Sequence, residues 1–162
     1  RFKNIFESPE RLAVAHKISE TLDNFIKGEE PDEKVFNLLN EVLFKLNNSH
    51  FPGLKYNLLY DYFFWIFVLA MGYGPGLSNC ANCSKKLNPY ELYFSNKDGG
   101  IICRSCSHLK KEGFKVKSDV VKVLRLILEK DWSTLLRIKM EDSLQKSLQN
   151  ISDNYYKYLL GI

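Results

Sequence analysis

Long apolar runs, histidines and catalytic signatures are what this chain of 162 residues has least of. Its most apolar stretch, Leu58 to Met71, is 14 residues long and contains Asp61, whereas a membrane-spanning helix needs about 20 apolar residues. The stretch therefore reads as a buried core helix, and no membrane span is expected. Arg1-Phe2-Lys3-Asn4 leads into a charged amphipathic pattern rather than a secretory leader, so the expected compartment is the cytosol. His16, His50 and His108 are scattered, and spacing implies no Ser, Asp or Glu partner for any of them. Phosphate-binding GxxxxGKS/T, dinucleotide-binding GxGxxG, zincin HExxH and hydrolase GxSxG patterns are all missing. Asp61 is the one acid expected inside the core, where a hydrogen-bonded or salt-bridged carboxyl is commoner than a general base. The sequence offers no enzyme.

What is present is a series of amphipathic helices. Ser8-Pro9-Glu10 supplies an N-cap, a first-turn proline and an acid at the positive end of the helix dipole, followed by Leu12, Ala15, Ile18, Leu22, Phe25 and Ile26 at helical spacing. Gly28 is expected to end this helix. Pro31-Asp32 opens a second, which carries Val35, Phe36, Leu38, Leu39, Val42, Leu43 and Leu46 and stops at Asn47-Asn48. The two read as an antiparallel pair joined by the acidic link Glu29-Glu30. After Pro52-Gly53 the segment from Leu54 to Met71 is apolar around most of its circumference and reads as the central helix. Gly72-Tyr73-Gly74-Pro75-Gly76 cannot continue it and forms a stiff elbow. Further on, Ser118-Asp119 caps a helix with Val120, Val121, Val123, Leu124, Ile127 and Leu128, and Trp132 sits at a break. Leu144, Leu148, Ile151, Tyr155 and Leu159 then mark one face of a last helix.

Cysteine is sparse, but all four residues fall within 27 positions as Cys80-x2-Cys83-x19-Cys103-x2-Cys106. That spacing fits two knuckles, each offering two thiolates to one tetrahedral Zn²⁺. Between them Tyr90 to Ser95 alternates as a strand does, Asn96 to Gly100 is a turn signal, and Ile101-Ile102 leads into the second pair. The expectation is a zinc ribbon with a structural ion, because four thiolates leave no open position for a catalytic water. Two disulfides or a thiol-redox pair are the competing readings; the absence of a secretion signal and of a βαβ setting speaks against them. His108 reads as exposed or adjacent to the site rather than as a ligand. The fold class is thus mainly α: a helical bundle domain over residues 1–78 and 108–162, with the four-cysteine ribbon and its short hairpin inserted over 79–107.

The formal net charge is +4, but Lys85 to Arg125 alone carries ten basic residues against four acidic ones, while residues 1–50 are net −2. The positive charge therefore surrounds the cysteines. Lys85, Lys86, Lys97, Arg104, Lys110, Lys111, Lys115, Lys117, Lys122 and Arg125 are candidate phosphate contacts, and Tyr90, Tyr93 and Phe94 are candidate base-stacking groups. A solvated lysine-rich surface, with those rings forming the ribbon's own small core, stays open beside that reading.

The run Phe67-Val68-Leu69-Ala70-Met71-Gly72-Tyr73-Gly74-Pro75-Gly76-Leu77-Ser78-Asn79-Cys80-Ala81-Asn82-Cys83 resembles the signature of the bacterial recombinational-repair RecO family, where a hydrophobic helix leads into a zinc module. Phe94-Ser95 and Asp98-Gly99-Gly100-Ile101-Ile102-Cys103-Arg104-Ser105-Cys106 resemble the module's second half, and Glu33 to Leu46 resembles the preceding helix. Ser84 stands where the family usually has glycine. The family also has an N-terminal OB domain, and nothing here reads as one, since residues 1 to 50 read as helical. The resemblance implies a non-catalytic mediator that binds single- and double-stranded DNA and anneals complementary strands. It further implies engagement of the C-terminal tail of single-stranded DNA-binding protein, loading of RecA together with RecR, and a place in the bacterial cytoplasm at the nucleoid. Only the zinc ligands Cys80, Cys83, Cys103 and Cys106 carry over residue by residue. The alternative is a zinc-ribbon protein-docking domain without DNA contact of its own.

Overall fold

A computed structural model describes residues 2–28, 32–49 and 56–162. Glu29-Glu30, Pro31, His50, Pro52-Gly53 and the expected first turn of the central helix at Leu54 lie outside the described residues. The helices are α1 (Lys3–Phe6), α2 (Pro9–Phe25), α3 (Glu33–Asn48), α4 (Tyr56–Ala70), α5 (Arg104–Lys110), α6 (Ser118–Leu128), α7 (Trp132–Arg137) and α8 (Asp142–Leu160). Three short strands, β1 (Leu92–Ser95), β2 (Gly100–Cys103) and β3 (Phe114–Val116), form an antiparallel sheet in the order β2-β1-β3. The architecture is a helical domain bearing a small ribbon.

Local chemistry sets most of these bounds. Ser8 accepts the Arg11 N–H and Pro9 occupies the first turn of α2; the Asp32 carboxylate accepts the N–H groups of Lys34 and Val35 to start α3. Helix α2 ends at Phe25, three residues before Gly28, with Ile26 extended. Helix α6 starts at Ser118 as expected, although no side chain caps it. Trp132 opens α7 rather than marking a gap, because the Asp131 carboxylate accepts the Thr134 N–H.

Helix α4 is the axis. Every side chain from Leu58 to Val68 is buried, with α2, α3, α6 and α8 packed around it. Among the described residues no helix is long and apolar enough to cross a membrane. From α3 come Val35, Leu38, Val42 and Leu46, one apolar stripe, whereas Phe36 and Phe44 on the opposite face are exposed. From α2 come Val14, Ile18 and the hydroxyl of Thr21, which hydrogen-bonds Tyr60 Oη at 3.0 Å. From α8, Tyr155 stacks on Trp65 with ring centroids 5.3 Å apart. Asp61 is fully buried at the α4–α8 seam, where it accepts Ser152 Oγ at 2.7 Å and Gln145 Nε2 at 3.1 Å. Trp65 Nε1 donates to the same Ser152 hydroxyl at 2.9 Å. The expectation of a hydrogen-bonded core acid is thereby met.

The sheet joins this core through one of its faces. Successive strand residues point to opposite sides, so Leu92, Phe94 and Ile101 enter the helical core, while Ile102 and Tyr93 lie on the other side with Cys80 and Cys106. Phe94 is fully buried with Trp65 and Tyr155 at 5.9 and 5.6 Å, which removes it from any base-stacking surface. The elbow after α4 docks on the sheet edge: Gly76 N–H donates to the Gly99 carbonyl and Ile101 N–H to the Gly76 carbonyl, both at 2.8 Å. The two backbones approach so closely that a Cβ on Gly100 would lie 2.3 Å from the Gly76 carbonyl oxygen. Glycine is required there for space.

Candidate metal centre

Two turns present the four thiols. In the first, Cys80 N–H donates to the Lys85 carbonyl and Ser84 N–H to the Cys80 carbonyl, both at 2.8 Å, which folds the backbone back beneath Cys83. In the second, Cys103 ends β2 and Cys106 sits in the first turns of α5. All four sulfurs lie within 4.8 Å of one another, and Cys83 Sγ is 3.8 Å from Cys103 Sγ. A tetrahedron with Zn–S bonds of about 2.3 Å has edges of about 3.8 Å, whereas a disulfide needs about 2.05 Å. These are free thiols arranged at metal-ligand spacing. His108 lies outside the cluster, on α5, with its ring edge-on to Tyr93 at 6.3 Å.

Electrostatics point the same way. Burial opposes ionisation of Cys80, but backbone N–H groups of Cys83, Cys103 and Asn82 aimed at its sulfur outweigh that and pull the thiol down to about 6. Desolvation, followed by the three neighbouring sulfurs, pushes Cys106 up to about 12. Four sulfurs this close cannot all carry charge unaided. A divalent cation removes the conflict by deprotonating them together.

The candidate DNA contacts divide into two groups. Arg104 is paired with Glu91 at 2.7 Å, Lys110 with Asp98 at 2.7 Å, Lys122 with Asp119 at 3.0 Å and Lys97 with Glu112 at 3.3 Å. Arg125 donates to the Leu77 carbonyl and so braces the elbow. Lys85, Lys86, Lys111, Lys115 and Lys117 are exposed and have no ion-pair partner among the described residues. Lys115 stands opposite Tyr93 in the β1–β3 register. Lys117 and Lys122 share a cleft of about 460 Å³ between α6 and the start of α8 with Lys139. Lys139 was not singled out in the sequence, because it lies beyond the stretch where the positive charge concentrates. Tyr90 is 84% exposed and Tyr93 half-buried.

Comparison with known proteins supplies the lineage. Residues 7–162 match the family described as Recombination protein O C terminal. The chain belongs to the RecO C-terminal family. Among curated RecO proteins, the DNA repair protein RecO of Dehalococcoides mccartyi strain BAV1 is 34% identical over 148 residues, covering 91% of this chain and 56% of that protein. That of Desulforamulus reducens is 28% identical over 163 residues, covering 98% and 60% respectively. The chain therefore spans less than two thirds of the length of these RecO relatives.

The backbone at Ser84 has an energetic reading. Ser84 has φ +62°, a left-handed conformation that costs an L-residue about 1 kcal/mol. Ser84→Gly is expected to raise stability by up to about 1 kcal/mol, the relieved strain being partly offset by the freer unfolded chain. Denaturant titration of the zinc-loaded protein checks it; a lower midpoint would show that the serine side chain contributes something the backbone does not reveal.

Proposed function

We propose that this chain is the helical and zinc-bearing part of a non-catalytic mediator of recombinational DNA repair, with one structural Zn²⁺ held by Cys80, Cys83, Cys103 and Cys106. In this reading it contacts single- and double-stranded DNA and promotes strand annealing. With RecR and the tail of single-stranded DNA-binding protein, it loads RecA in the bacterial cytoplasm at the nucleoid. The match of residues 7–162 to the RecO C-terminal family carries the reading. The unpaired lysines around the ribbon support the DNA contact, since a cation already held by a neighbouring carboxylate has less to offer a phosphate. The zinc keeps the ribbon folded, and the ribbon presents Lys85, Lys86, Lys111, Lys115 and Lys117 on a fixed frame.

Fluorescence anisotropy with labelled single-stranded DNA at several salt concentrations tests this. Each lost phosphate contact is expected to lower the slope of log K against log salt by about 0.7. Combined Lys111→Glu, Lys115→Glu and Lys117→Glu is therefore expected to lower it by about 2 and to weaken binding at least about tenfold at low salt. Lys122→Gln, already paired with Asp119, is expected to change little. The second reading, a protein-docking ribbon, draws support from Tyr90 and Leu109, which are 84% and 85% exposed on the module. Absence of binding at low salt with zinc in place would select it.

A further inference from the structure

The four sulfurs are not equivalent. Cys80 and Cys106 are buried, Cys103 is half-buried and Cys83 is exposed. The Cys80 sulfur accepts the backbone N–H of Cys103 at 3.3 Å and of Cys83 at 3.5 Å. Those donors neutralise part of its charge and lower its nucleophilicity. Among the described residues no backbone N–H reaches the sulfur of Cys83 or Cys103, and these two face each other across the two turns at 3.8 Å. With all four sulfurs held as thiolates by zinc, access decides which are oxidised, and it favours Cys83 and Cys103.

We propose that Cys83 and Cys103 form a peroxide-sensitive pair whose disulfide dismantles the four-thiolate site. The inference rests on the zinc reading above. The oxidant is hydrogen peroxide. The Cys83 thiolate attacks its O–O bond, which breaks to leave a sulfenic acid on Cys83 and release one hydroxide. The Cys103 thiolate then attacks the sulfenic sulfur, forms the S–S bond and expels the second hydroxide. Two thiolates lose one electron each, and the peroxide is reduced to hydroxide that takes up protons as water. Closing 3.8 Å to a bond of about 2.05 Å needs a shift of under about 2 Å, which rotation of the exposed Cys83 side chain supplies. Cys80 and Cys106 remain as half a ligand set, and the ion leaves. Closure within Cys80-x2-Cys83 would instead consume the sulfur that is buried and held by backbone N–H groups.

Titration of the intact zinc-loaded chain with hydrogen peroxide tests the pairing, with released zinc read by a chromogenic chelator and the disulfide located by tryptic mapping. Cleavage at Lys55, Lys85, Lys97, Arg104 and Lys110 puts Cys80 and Cys83 in one peptide, Cys103 in a second and Cys106 in a third. The expected result is one zinc released for every two thiols lost, with the first peptide joined to the second and tandem fragmentation placing the bond at Cys83. An intra-peptide Cys80–Cys83 loop, a Cys103–Cys106 link, or sulfinic acid without a cross-link would overturn the proposal while leaving zinc binding intact. An untreated sample without zinc would overturn both.

Discussion

Replacing Cys83 by serine is expected, on the zinc reading proposed above, to cost the ribbon its metal, with zinc content falling from about one equivalent to a small fraction of one. Three remaining thiolates and a hydroxyl do not hold the charge that four thiolates hold, and a structural zinc contributes on the order of 10 kcal/mol to folding a small module. The damage does not stop at the module. Leu92, Phe94 and Ile101 belong to the main core, and Phe94 covers Trp65, which has no exposed surface. Loss of metal is therefore expected to expose the indole. The readouts are zinc by mass spectrometry, a red shift of tryptophan emission, and new protease cleavage between Asn79 and Ser107. Prolonged chelation of the parent protein should reproduce all three. A Cys83→Ser protein with parental stability and no zinc would show that the sheet folds on side-chain packing alone.

The second large effect is a pH dependence centred on Asp61. Burial raises its carboxyl from an ordinary 3.8 to about 7, even though Ser152, Lys17 and Gln145 favour the charged form, and Asp153 adds to the effect of burial. Between about pH 4 and 7 the folded chain holds a proton on Asp61 that the unfolded chain has released. Stability is thus greatest below about pH 4 as far as this group is concerned, declines as pH rises through about 7, and is flat above. The decline amounts to a few kcal/mol at about 1.4 kcal/mol per unit. Asp61→Asn is expected to remove it, leaving a protein more stable than its parent at pH 8. Asparagine keeps the acceptor for Ser152, and its amide can donate to Gln145 after that side chain turns over; Gln145 Oε1 is buried and lacks a partner as it stands. Because low pH also protonates the four thiols of the candidate metal centre in both proteins, the difference between their stability profiles isolates Asp61. Parallel profiles would rule the assignment out.

Much of the helical frame was legible because it rests on local chemistry. Ser8 caps the helix it was expected to cap, Asp32 caps the one that Pro31-Asp32 was expected to open, and Val35, Leu38, Val42 and Leu46 keep one spacing and one burial. The cysteine spacing was equally readable, since two close pairs separated by a hairpin leave little freedom in how the thiols meet. What escaped depended on distant partners. A strand has two faces, and alternation alone could not say that Phe94 would meet Trp65 and Tyr155 while Tyr93 met His108. Helix α5 has seven residues and no amphipathic period, and β3 has three; both exist because the second turn and β1 supply their contacts. Counting charge along Lys85 to Arg125 likewise could not reveal that Glu91, Asp98, Glu112 and Asp119 neutralise four of the cations.

Tyr155 touches everything that matters to the join between ribbon and helices. Its ring stacks on Trp65 and meets Phe94 edge-on, and its hydroxyl donates to the Tyr73 carbonyl in the elbow at 2.9 Å. With Gly76 laced to Gly99 and Ile101 in the same elbow, the entry to the module is tied both to the sheet and to α8. Strain applied at the cysteines would therefore reach Trp65 and Tyr155, at the centre of the helical domain, through these contacts.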